Sequence, residues 1–232
     1  MTIYKYRGDK CIHVTESTPV LTPKTFRPSG TMVEQDSLNK FYDRIPVDDN
    51  VTIIDIGAQT GLYTLYSKFL PRAQFHSFEP FRQSFDILNE NIELNSITNV
   101  STYNLALSNV CGTTVLNTCS SHNGLHTLGS KPMRFNDIRP IEVEQKTLDS
   151  MELPADFIKI DTEGWEYNIL QGAVNTINKY KPVIQMEWNM TNMVQCGVSQ
   201  TQLFELMEGL GYKNIEKCGE DVTFIHKSKV GS

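Results

Sequence analysis

The chain is short of cysteine, of positive charge and of long apolar runs, and each shortage excludes something. Its 232 residues hold five cysteines, Cys11, Cys111, Cys119, Cys196 and Cys218, with no C-x-x-C pair. An odd, scattered set offers neither a disulfide framework nor a zinc site, and it suits a reducing, cytoplasmic compartment. Lys and Arg number 21 against 27 Asp and Glu, a formal net charge of −6. A phosphate backbone needs a basic patch to bind, so no nucleic-acid partner is expected. No stretch reaches the ~18–20 apolar residues of a membrane span, and Met1–Lys10 carries no signal-peptide pattern. A Pro/Gly/Ser-rich linker, an internal repeat and a low-complexity tract are also lacking, so one substantial core is expected.

What is there begins with Val51–Tyr66, VTIIDIGAQTGLYTLY. Val51, Ile53, Ile54 and Ile56 read as a buried parallel strand. Gly57 and Gly61 permit a tight turn and close passage of a ligand, and a helix is predicted from near Thr60 with its amides facing that ligand. Asp55 places a carboxylate at the strand's C-terminal end, where open α/β sheets bind ligands. An anion needs only amides, so the acid indicates a ligand with a positive group, and S-adenosylmethionine fits best. The dinucleotide fingerprint G-x-G-x-x-G requires a second glycine where this chain has Gln59, which argues against a pyrophosphate.

Gln74–Phe78 reads as a second strand delivering Glu79, placed to accept hydrogen bonds from ribose hydroxyls. Pro80 suits the start of the next helix, whose Phe81, Phe85, Leu88 and Ile92 follow a helical core spacing. Further strands are predicted at Val100–Asn104, Thr113–Asn117, Ile141–Thr147, Phe157–Asp161 and Val183–Trp188, with helices from about Trp165 to Asn178 and at Gln200–Leu210. Lys213–Glu216 and Val222–His226 are separated by too few residues for a crossover helix, so they must pair antiparallel. Residues 1–50 read as a lead-in packed on the core: a strand pair around Ile3–Val14, a Pro-punctuated loop and a helix near Gln35–Tyr42. Residues 51–232 form the ligand-binding domain.

Together VTIIDIGAQTGLYTLYSKF, FHSFEP, NVSTYNLALSN and TLDSMELPADFIKIDTEGWEYNILQGA with PVIQMEW resemble the FkbM-type methyltransferases from about Gly30 to about His226. The most specific element is the block FIKIDTEGWE. The resemblance implies a class I methyltransferase (Rossmann-like) α/β fold, mostly parallel with a C-terminal antiparallel hairpin. It also implies S-adenosylmethionine-dependent O-methylation, often of sugar hydroxyls in glycans, glycolipids or macrolide-type products. Such glycan-modifying domains occur inside larger polypeptides, viral ones among them, and a piece of one is an expectation for this chain. By the resemblance Asp55, Gly57, Ala58, Gln59, Gly61 and Tyr63 form the cofactor loop, Glu79 and Pro80 hold the ribose, and Asn104, Leu105 and Ala106 line the adenine. Glu34 either closes over the cofactor or is a solvated acid at a helix start, and Tyr63 either meets the cofactor or packs a helix.

Chemistry needs a base, because a sugar hydroxyl titrates not far below water's value of about 15.7. Asp161 and Glu163 end the fourth strand at the sheet's ligand-binding edge. Asp161 is a candidate for the base, for holding the cofactor's ammonium or for a divalent cation; Glu163 is either catalytic or a first-turn acid of its helix. His122 and His126, in the polar loop Ser120–His126, are the other base candidates. Asn123, Glu187, Trp165 and Trp188 are the acceptor-binding candidates, with helix packing the alternative for Trp165. A magnesium-like ion would accept these carboxylates, but no spacing dictates a coordination shell and none is predicted. A carbohydrate or glycan acceptor is expected. An NAD-dependent dehydrogenase and a non-catalytic binding domain are the competing classes, the first disfavoured by Gln59 and the closing hairpin.

Overall fold

The computed structural model describes residues 2–7, 10–15, 35–119, 126–129 and 138–230. A hairpin of β1 (Thr2–Arg7) and β2 (Lys10–Val14) precedes α1 (Gln35–Tyr42). The central sheet takes β3 (Thr52–Ile56), β4 (Gln74–Phe78), β5 (Val100–Tyr103), β9 (Phe157–Ile160), β10 (Val183–Glu187), β11 (Tyr212–Cys218) and β12 (Asp221–His226). Their order is β11-β12-β10-β9-β3-β4-β5. The five strands from β10 to β5 run parallel, whereas β12 is antiparallel to both of its neighbours. This is the expected class I methyltransferase architecture. The closing hairpin is not a simple appendage, since its second strand lies inside the first, between β10 and β11. A smaller sheet of β6 (Ala106–Leu107), β8 (Ile138–Lys146) and β7 (Gly112–Cys119) branches off after β5.

The sheet's two faces differ in kind. Ile54, Ile56, Ile158, Ile160, Ile184 and Met186 bury on one face, with α3 (Glu166–Gln171), α4 (Val174–Tyr180) and α6 (Gln200–Gly209) contributing Ile169, Ile177, Leu203 and Met207. On the other face Ile53, Phe75 and Phe157 pack with Leu38, Phe41 and Tyr42 of α1 and with Tyr63. That face also carries a polar row, one residue per strand in register: Thr102, Ser77, Asp55, Lys159, Gln185 and Thr223. All but Thr102 are buried. Register partners in a sheet share a face, so these groups meet one another and must satisfy one another.

Two helices depart from the expectation. No α-helix follows β3: Gln59 (φ 49°) and Gly61 (φ 107°) both take left-handed conformations, and the chain recovers only into a 3-10 helix at Thr64–Phe69. The helix expected from near Thr60 is thus a 3-10 helix that begins at Thr64, after Tyr63. The helix predicted from Trp165 to Asn178 is two, α3 and α4. The Asp149 carboxylate accepts the Asn175 and Thr176 amides at 3.0 and 2.7 Å and restarts the helix. Phe81 and Phe85 are only half-buried on α2 (Arg82–Leu94), whose buried positions are Ser84, Leu88 and Asn91.

Candidate active site

The C-terminal ends of β3, β4 and β9 open into a cavity of about 310 Å³. Asp55, Gly57, Ala58, Gln59, Tyr63, Glu79, Pro80, Leu105, Ala106, His126, Asp161, Glu163 and Trp165 all line it, so segments predicted separately converge on one place. Gly61 does not line it: a Cβ there would press on Leu65 and Leu88 at 3.0 Å, a packing requirement. Gly57 lines the cavity, but its constraint is also internal, because a Cβ would lie 1.9 Å from the Asp161 carbonyl oxygen. The glycines serve close approach of backbone to protein at least as much as to ligand.

The two acids expected to hold the cofactor are buried and braced. Asp55 accepts the Thr64 hydroxyl at 2.6 Å, and the same hydroxyl lies 2.7 Å from that of Ser77. Burial lifts the Asp55 carboxyl to about 6 against the pull of Thr64 and Lys159. Glu79 accepts the Gln59 amide at 2.9 Å with one oxygen and the Phe81 amide at 2.8 Å with the other. Burial lifts it to about 7. The left-handed turn at Gln59 thus has a use: it aims that amide at the second acid. Each carboxylate oxygen keeps a further lone pair for a ligand hydroxyl or ammonium.

Asp161 follows β9, and its side chain is 34% exposed into the cavity. Burial of its surroundings raises its carboxyl, while Lys159, 3.4 Å away, acts to lower it. Glu163 stands before α3, in a left-handed conformation (φ 55°), and accepts the Asn192 amide at 2.6 Å. It is not the helix's first-turn acid. Glu166 holds that post, accepting from the Thr162 amide and hydroxyl and the Gly164 amide at 3.0–3.2 Å. Trp165 lines the cavity and donates its indole N–H to Ser108 at 3.1 Å.

His126 reaches the cavity from the smaller sheet, its ring 4.3 Å from that of Phe81. Its Nδ1 accepts the Cys119 amide at 3.3 Å, and burial lowers the ring to about 4. A neutral ring accepting at Nδ1 carries its proton on Nε2, so Nε2 is a donor. This hydrogen bond leaves His126 without a free lone pair for a base. Nε2 is buried with no partner among the described residues.

Other expected site residues stand elsewhere. Asn104 lies behind the cavity wall, donating to the Glu79 and Pro80 carbonyls at 2.9 and 3.1 Å, and so braces the segment that follows β4. Trp188 packs against the apolar core beside Phe224. Glu187 does not line the cavity, and burial followed by the charges of Asp161, Glu163 and Glu166 pushes its carboxyl far above the usual range. Glu34, His122 and Asn123 lie outside the described residues. Among the described residues, no group of three or more His, Cys, Asp or Glu could hold a metal ion. No helix there is long and apolar enough to cross a membrane.

Lys159 escaped the sequence reading altogether. It lines the cavity at 1% exposure, its ammonium 2.5 Å from Asp221 and 4.8 Å from the centre of the Tyr63 ring. The signal was present: a lysine within the otherwise apolar strand F-I-K-I, two residues before an acid. Such a residue must be paired if the strand is central.

The residues fit S-adenosylmethionine. Buried acids stand at the first two strand ends, apolar Leu105 and Ala106 form a wall, and further acids occupy the third strand end, where a sulfonium can be accommodated. Known proteins agree on the class. The curated Methyltransferase 1 of Beauveria bassiana (strain ARSEF 2860) is 25% identical over 157 residues, which cover 58% of this chain and 63% of that protein. Methyltransferase sdnD of Sordaria araneosa is 27% identical over 165 residues, covering 57% and 64%. The match thus spans less than two thirds of either relative's length. Among solved structures, the methyltransferase FkbM of Methylobacillus flagellatus KT shares the fold at TM-score 0.54 and 15% identity, over 88% of this chain and 49% of that one. M. jannaschii TYW2, solved in complex with AdoMet, shares it at TM-score 0.50 and 14% identity, over 97% and 86%. The family model described as the methyltransferase FkbM domain matches residues 55–214, from the first acid of the cavity into β11. With most of the chain inside that match, the protein belongs to the FkbM methyltransferase family.

Proposed function

We propose that this chain is an S-adenosylmethionine-dependent O-methyltransferase acting on a hydroxyl of a sugar or glycan, in a reducing compartment that suits its odd, scattered set of five cysteines. The observation that carries this reading is Asp161, a carboxylate open to the cavity at the end of β9, with Glu163 and Trp165 beside it. Carboxylates and an indole suit a polyhydroxylated ring, offering acceptors for its hydroxyls and a flat surface for its C–H face. When bound, the cofactor supplies a methyl group on a positively charged sulfur. Asp55 and Glu79 bind its polar ends. Asp161 would accept the acceptor's hydroxyl proton, and Trp165 and Glu163 would hold the acceptor with that oxygen presented to the methyl donor.

The test supplies labelled methyl donor and screens free sugars, glycan fragments and catechols as acceptors. Asp161→Asn should lower turnover by about 10²–10⁴-fold while S-adenosylhomocysteine binding, followed by calorimetry, stays nearly intact. Full turnover in that variant removes Asp161 as the base. Methylation of catechols but not sugars refutes the acceptor class.

A further inference from the structure

We propose that Lys159 is a positioning residue for the transfer: clamped from behind by Asp221, its ammonium orients the Asp161 carboxylate and keeps it charged toward the cavity. This rests on the reading of Asp161 as the acid that meets the acceptor.

The case begins with cost. A lysine buried mid-strand loses its hydration and requires compensating charge. A merely structural need would be met by one partner, and Asp221 Oδ1 at 2.5 Å is that partner. The ammonium nevertheless makes a second contact, to Asp161 Oδ2 at 3.4 Å. The two partners differ in setting: the Asp221 side chain is 9% exposed, that of Asp161 34%. One end of the triad is therefore anchored in the protein and the other opens on the cavity. The Tyr63 ring, 4.8 Å from the ammonium, closes a further side.

The charged groups around Asp161 are otherwise acidic. Asp55 faces it from β3, Glu187 from β10, Asp221 and Glu220 from the start of β12 and its turn, and Glu166 from the first turn of α3, while Glu163 lies two residues along the chain. Asp221 and Glu220 favour a proton on Asp161, and Lys159 opposes them. A protonated Asp161 cannot take the acceptor's proton, so the lysine governs the pH above which the site works.

The test titrates the ¹³C-labelled side-chain carboxyl of Asp161 by NMR in the S-adenosylhomocysteine complex, with the signal assigned by its loss in Asp161→Asn. Lys159→Met, close in shape and uncharged, should raise the midpoint by about one pH unit or more, whereas Asp221→Asn, which removes an acidic neighbour and leaves the ammonium to Asp161, should lower it. The acid limb of turnover should shift equally, with KM for the methyl donor changed less than about threefold. If Lys159→Met does not fold, Lys159→Gln, which keeps hydrogen-bond donors for the two acids but not the charge, carries the same titration. An unmoved midpoint in a folded variant overturns the proposal whatever the acceptor proves to be. Full turnover in Asp161→Asn overturns the reading beneath it whatever the titration shows.

Discussion

Ile158 and Lys159 are neighbours on one strand, equally buried, and face opposite sides of one sheet. The Ile158 side is a conventional apolar interior, where the requirement is volume. The Lys159 side runs a line of hydroxyls, amides and charges across six strands, where the requirement is pairing. The contrast teaches where a central sheet stores its chemistry. Polar groups buried in register can brace one another, and they surface only where the strands end. Asp55 lies at such an end, with Thr64 bridging it to Ser77.

Substitutions on the two sides should therefore fail differently. Ile158→Ala leaves a cavity in the apolar layer and should cost about 2–5 kcal/mol of stability, read by denaturant unfolding, while the folded protein still binds S-adenosylhomocysteine. Asp55→Ala should do the reverse, weakening calorimetric binding by about 1.5–3 kcal/mol through loss of a charge-assisted hydrogen bond. Equal effects of both substitutions on binding would erase the distinction. The acids also bring a pH signature that the apolar side lacks. If Glu79 takes the proposed ribose, the hydroxyls would donate to its charged form, and burial holds its carboxyl at about 7. Affinity should be flat above that pH and fall below it, by at most about tenfold per unit, equivalent to roughly 1.4 kcal/mol. Glu79→Gln should remove this group's share of the fall. The smallest expected effect is at Ser199, which caps α6 in a reciprocal pair with Gln202 beneath the apolar layer. Ser199→Ala should cost ~1 kcal/mol of stability and leave binding unchanged.

Much of this was legible in the sequence because it depends on local pattern. Short strand-like runs ending in acids placed Asp55, Glu79 and Asp161, and the short gap before Asp221 fixed the antiparallel ending. What was not legible depends on contacts between distant segments. The left-handed Gln59 follows from its bond to Glu79, twenty residues on. The break between α3 and α4 follows from Asp149, which comes from another element. Asn104 and Trp188 carry the right chemistry on the right segments but point into the protein, a matter of strand register and sheet twist that spacing alone does not encode. Lys159 was overlooked because an isolated basic residue in an apolar strand is ordinary until its partner on β12 is known.

Gly57 has one more consequence. With a Cβ position only 1.9 Å from the Asp161 carbonyl, its backbone is pressed against the residue that begins the β9 loop, and the Asp161 amide hydrogen-bonds Ile56 at 2.9 Å. The β3 side of the cavity, with Asp55, and the β9 side, with Asp161, are thus riveted together by missing atoms. A chimera that imports a relative's β9 loop must keep that glycine, or the two sides will be spaced apart by the width of a methyl group.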